Sequence, residues 1–164
     1  MTLLSIDKNA RAKTLTVTAE FEAPVESVWE LWADPRLLER WWGPPEFATT
    51  VEHHDLTPGG RITHFMTSPD GEKFPAEWSV LAVEVPRRLV LADADVDAAG
   101  VPNDGNGITR MEITIEPAGG RTRMVITSVF ASTVDMEQEL VSGFEAGMRR
   151  MVQRIDAVLA EVAA

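Results

Sequence analysis

Three histidines, His53, His54 and His64, together with the carboxylate of Asp55, come nearest to a reactive centre in this 164-residue chain. A hairpin turning on "TPGG" at 57–60 would set His53 opposite His64 on one sheet face, with Asp55 two positions along. A slip of one residue would bring His54 there instead. Two imidazoles and a carboxylate on one face can ligate a divalent metal. Histidines on strands also simply bond a neighbour or face solvent, and that is the expectation here: no metal and no cofactor. His64 has two further uses, as a polar handle for a bound molecule or as a general acid–base group near neutral pH.

Other constellations carry less. "DADVD" places Asp93, Asp95 and Asp97 at calcium-loop spacing, but Ala98 stands where the turn glycine belongs and no glutamate closes the loop, so a solvated acidic strand end is expected. "TPGGR" has no helix after it to complete an anion site and reads as a hairpin turn. "GFEAG" spaces two glycines four apart, which would let a helix approach a sheet closely. The chain lacks G-x-S-x-G, H-E-x-x-H, a P-loop and a dinucleotide fingerprint, and no spacing of Ser, His and Asp singles out a triad. No catalytic residue is assigned.

"PRLLERWWGPPEF" (35–47) raises a different question, because two of the five tryptophans stand side by side at a helix end. Adjacent helical side chains diverge by about 100°, so Trp41 and Trp42 cannot both centre on one buried face. Gly43, Pro44 and Pro45 then stop the helix. One ring is expected to anchor the loop and the other to stand at the entrance of an apolar site. Trp29 and Trp32, three apart on a helix, are expected in the core.

The elements that must position these residues are legible from periodicity. "LTVTAEFE" (15–22) alternates as a half-buried strand, with Leu15, Val17, Ala19 and Phe21 inward. "APVESVWELWADP" is a helix with Val25, Val28, Trp29 and Trp32 as its stripe, and Pro35 opens a second short one. Six strands follow: "TTVEHHDL", "GRITHFMTS", "FPAEWSVLAVEV", "RLVLADADV", "ITRMEITIE" and "RTRMVITSVF". Short Pro/Gly turns separate most of them, as antiparallel hairpins require. The pattern ends in a long helix over 136–162, whose stripe of Leu140, Phe144, Gly147, Met148, Met151, Ile155, Val158, Leu159 and Val162 must bury itself on the sheet. The expected class is α+β, in the order β-αα-β6-α. One domain spans 1–164, with a core from about 15 to 162 and an N-terminal extension over 1–13.

Composition narrows the partners. A formal charge of −11 disfavours nucleic acid and anionic membranes. No apolar run reaches membrane-spanning length, no signal peptide is apparent, and there are no cysteines, which fits a cytoplasmic protein. Neither monomer nor homodimer is excluded.

The element order, with "FEAPVESVWELWADPRLLERWWGPPEF", "DLTPGGRITHFM", "EVPRRLVL" and "GFEAGM", resembles the activator of heat-shock-protein-90 ATPase homologue family. That family belongs to the START-like (SRPBCC) helix-grip superfamily. The resemblance runs from about Leu15 to Leu159 and implies a curved sheet gripping the C-terminal helix, with a cavity for small apolar molecules between them. It also implies an aromatic at the place of His64 and a tryptophan at that of Met148, from both of which this chain departs. The expected cavity walls are Trp42, Ile62, His64, Met66, Trp78, Met111, Phe144 and Met148. The expected function is binding of a small hydrophobic ligand. The alternatives are an enzyme on a hydrophobic substrate with His64 as acid–base group, and a co-chaperone-like interaction module.

Overall fold

The computed structural model describes residues 3–43, 46–93, 108–130, 132–134, 136–137 and 143–163. Its elements are β1 (Leu3–Asn9), β2 (Thr14–Phe21), α1 (Val25–Ala33), α2 (Pro35–Trp41), β3 (Ala48–His54), β4 (Arg61–Thr67), β5 (Lys73–Glu84), β6 (Arg88–Asp93), β7 (Ile108–Ala118), β8 (Arg121–Phe130) and α3 (Phe144–Ala163). The strands form one antiparallel sheet in the order β1-β2-β8-β7-β6-β5-β4-β3. The alternation predicts β2 and β8 well: Leu15, Val17, Ala19 and Phe21 are buried, as are Met124, Ile126 and Phe130. The curved sheet and C-terminal helix make a helix-grip fold.

Two elements differ from the sequence reading. The expected N-terminal extension contains β1, which pairs with β2 from Leu3↔Glu20 to Asn9↔Thr14. Asn9 Oδ1 accepts from Ala12 N at 3.0 Å and Lys13 takes φ 58, which closes the turn. As an edge strand, β1 carries exposed Asp7, Lys8 and Asn9, and so shows little hydrophobic signal. The C-terminal helix is shorter than 136–162, because Gly143 has φ 101 and cannot continue a right-handed helix. Residues 138–142, including Leu140, lie outside the described residues, as does 94–107 with Asp95 and Asp97.

On α3 the buried positions are Met148, Met151, Val152, Ile155, Val158 and Leu159, whereas Val162 is exposed. Gly147 is exposed too, and a Cβ there would meet nothing within 4 Å. "GFEAG" therefore does not serve close helix–sheet approach.

Helix α1 ends without a C-cap glycine, and its last carbonyls find other donors. Glu30 O accepts from Asp34 N at 2.9 Å, Leu31 O from Trp41 Nε1 at 2.9 Å, and Trp32 O from His54 Nε2 at 2.9 Å. Asp34 then caps α2 by accepting from Arg36 N. Helix α2 in turn covers the β3 edge: Val51 N donates to Glu39 Oε2 at 2.7 Å, and Arg36 Nη2 donates to Val51 O at 3.2 Å. An otherwise unpaired edge is thereby satisfied by a helix.

Candidate functional site

The histidines do not assemble as the hairpin arithmetic suggests. The register slips between Val51 and His53, so Val51 lies opposite His64, His53 opposite Thr63 and His54 opposite Ile62. The bulge leaves His53 exposed. His54 turns towards α1, where its Nε2–H serves the Trp32 carbonyl. Asp55 accepts from Thr57 Oγ1 at 2.7 Å within the turn, and Gly60 packs so tightly there that a Cβ would sit 2.3 Å from Asp55 O. Neither the facing His53/His64 pair nor its one-residue slip forms. Among the described residues no group of three His, Asp or Glu could hold a metal.

His64 stands apart from the other two. Ile62 and His64 are buried and Met66 half-buried on one face of β4. Across the ladder on β5, Trp78 faces Ile62 and small Ala76 faces His64. The imidazole leans on the Trp78 ring, centroids 4.6 Å apart. Trp78 meets Trp42 edge to face at 4.9 Å, Trp42 meets Trp41 at 5.5 Å, and Trp41 meets Trp32 at 4.8 Å. The tandem tryptophans thus divide as expected in burial. Trp41 is 1% exposed and bonded to α1, while Trp42 caps α2 and is half-buried.

His64 is 3% exposed, and its Nδ1 is buried without a hydrogen-bond partner. An orphaned buried polar atom costs about 1–3 kcal/mol, which an apolar side chain would avoid. Burial also lowers its pKa from 6.5 to about 4. Between those values the unfolded chain binds a proton that the folded chain refuses, so stability falls as pH drops from 6.5 towards 4. The loss attributable to this group is about 3 kcal/mol at most. Denaturant titrations at pH 7 and pH 4 should show His64→Phe losing less stability than the parent over that interval; equal losses would mean the folded imidazole titrates normally.

Of the remaining predicted wall residues, Met111 on β7 and Met148 on α3 lie in the same hydrophobic core as Ile62, Trp78 and Trp42. Phe144 opens α3, and its side chain is outside the described set. The structure therefore joins Trp42, His64 and Trp78 by ring contacts and Ile62 by register, and adds Met111 and Met148 only through the shared core.

The loop beside Trp42 is strapped on both sides by residues that the sequence reading did not single out. Thr49 Oγ1 donates to Trp42 O at 2.6 Å, and Arg154 Nη2 on α3 donates to Gly43 O. Gly43, at φ 92, touches the sheet so closely that a Cβ would lie 2.8 Å from Met66 Sδ. Arg150 pairs with Glu46 at 3.8 Å. Burial pulls the Arg154 guanidinium below its ordinary pKa, partly offset by Glu46. A signal for Arg154 was present: it falls three after Met151 and four before Val158, inside the apolar stripe.

A separate cleft of about 500 Å³ opens between the start of α1 and the β7–β8 turn. Its Arg121 donates to Glu22 and to Glu20 O, and it shares no residue with the aromatic wall.

A helix-grip sheet, a long C-terminal helix and this tryptophan-walled end define a START-like protein. The sequence matches the family model of the activator of Hsp90 ATPase homolog 1-like proteins over residues 22–160, and the chain belongs to that family. A protein from Arthrobacter aurescens, solved by NMR, is similar at 43% identity and TM-score 0.87, over 96% of this chain and 91% of that one. A crystal structure from Mycobacterium smegmatis shares 37% identity at TM-score 0.85, covering 98% and 99%. The AHSA1 protein of Silicibacter pomeroyi, at 20% identity and TM-score 0.70 over 90% and 97%, shares the fold. No curated protein matches the sequence significantly. START-type folds of this kind commonly bind hydrophobic ligands. No helix among the described residues is long and apolar enough to cross a membrane.

Proposed function

We propose that this protein holds a small apolar molecule between the concave face of the sheet and α3, at the end walled by Trp42, His64, Met66 and Trp78, with Met111 and Met148 in the adjoining core. One observation carries the reading: a buried imidazole with a partnerless Nδ1 stands in an aromatic and thioether wall. A core built only for stability has no use for that group, whereas a binding site needs one polar atom to orient its ligand. The methionines supply walls that adapt to ligand shape.

An apolar fluorescent probe is expected to bind at micromolar Kd or tighter, about −8 kcal/mol. It should also alter tryptophan emission, since Trp42 and Trp78 line the site. Met148→Trp should weaken the probe about tenfold, roughly 1.4 kcal/mol, while the protein stays folded. Unchanged affinity would place the probe elsewhere or leave the interior as solid core.

The enzymatic alternative fits less well. General acid–base work is most effective near the operating pH, whereas burial holds His64 near 4 and no carboxylate bonds to it. The interaction-module alternative calls for a large apolar patch on the outer sheet face. The exposed large apolar residues among those described are Phe74, Leu81, Val85, Val134 and Val162, spread over β5, the segments after β5 and β8, and the end of α3.

A further inference from the structure

We propose that the ligand carries a single uncharged hydroxyl, as in an apolar phenol or alcohol, and that His64 Nδ1 receives it. The inference rests on the binding reading above and specifies its chemistry. Around the imidazole the neighbours along β4 are Ile62 and Met66, the cross-strand partners are Val51 and Ala76, and the ring partner is Trp78. None of these offers a side-chain oxygen or a charge, so the polar part of a ligand lying against them is matched first by the unpaired Nδ1.

Nδ1 is one atom without a partner. A hydroxyl suits it in either tautomer, since it donates to a bare nitrogen and accepts from an N–H. A carboxylate would bring a full charge and two oxygens into an apolar wall facing an imidazole that burial keeps neutral. The cation tied to the neighbouring loop, Arg154, donates from Nη2 to Gly43 O and is offset by Glu46, while its Nε is buried without a partner, so a carboxylate is the competing ligand that the probes must exclude.

Three probes with one carbon frame separate these cases: naphthalene, 2-naphthol and 2-naphthoate, titrated at pH 7 into the isotope-labelled protein and followed by NMR. The expected result is 2-naphthol binding about tenfold tighter than either of the others. In His64→Phe, which keeps an aromatic ring there, 2-naphthol and naphthalene should bind equally. Equal binding of these two to the parent protein would overturn the hydroxyl assignment and leave the apolar-binding reading standing. A preference for 2-naphthoate would overturn it in favour of a cation such as Arg154. Failure of all three to bind would overturn both proposals. If His64→Phe does not fold, the His64 ring nitrogens in the parent protein decide. Their resonances should move with 2-naphthol and not with naphthalene; unmoved resonances would overturn the assignment.

Discussion

Ile155→Asp is expected to destabilise the protein by about 4 kcal/mol. Ile155 is 1% exposed on the inner side of α3, within the core shared by both sheet and helices. A carboxylate there must either stay charged among apolar atoms or take up a proton at neutral pH, and both routes are costly. At roughly 2–4 °C per kcal/mol for a chain of this length, the melting temperature should fall by on the order of 10 °C. The control lies two turns earlier on the same helix. Gly147 is exposed with open space around its Cα, so Gly147→Ala should raise stability by up to about 1 kcal/mol through helix propensity. Opposite signs at 155 and 147 would establish which side of α3 the sheet grips. A melting temperature unchanged in Ile155→Asp would mean that the helix is not gripped at all.

How much of this could be read from the residues differs by element. Period-two alternation marks β2, β7 and β8 because each sits inside the sheet with one face buried. It fails at β1, an edge strand whose polar residues answer to solvent. The helix stripe was visible from Met148 to Leu159, but the break at Gly143 depends on a positive φ that the surrounding apolar residues masked. The site was partly legible. His64 and the tryptophans announce themselves by type. The bulge between Val51 and His53 does not, since only the ties from Glu39 and Arg36 to Val51 show how that edge is held. Such tertiary ties override hairpin counting. The strap through Thr49 and Arg154 was missed because it acts on backbone carbonyls, which a sequence does not display.

The tandem tryptophans should separate stability from binding. Trp41→Ala is expected to cost about 3–5 kcal/mol through lost burial and the cavity left behind. It also strips the donor from Leu31 O at the end of α1, adding about 1 kcal/mol or more. The ring's edge-to-face contacts with Trp32 and Trp42 go with it. Trp41→Phe retains an aromatic ring and should recover most of that loss. Trp42 is half-buried at the end of α2, and its backbone carbonyl, not its ring, ties the loop to Thr49. Trp42→Ala should therefore leave the fold much closer to the parent's stability, because the Thr49 bond survives the truncation. It should nonetheless weaken an apolar probe, since the ring it removes is the one packed edge to face on Trp78. Chemical denaturation and probe titration on the same two proteins test the division. The reverse pattern, with Trp42→Ala the less stable variant and probe affinity intact, would make Trp42 the anchor and remove the aromatic wall from the proposed site.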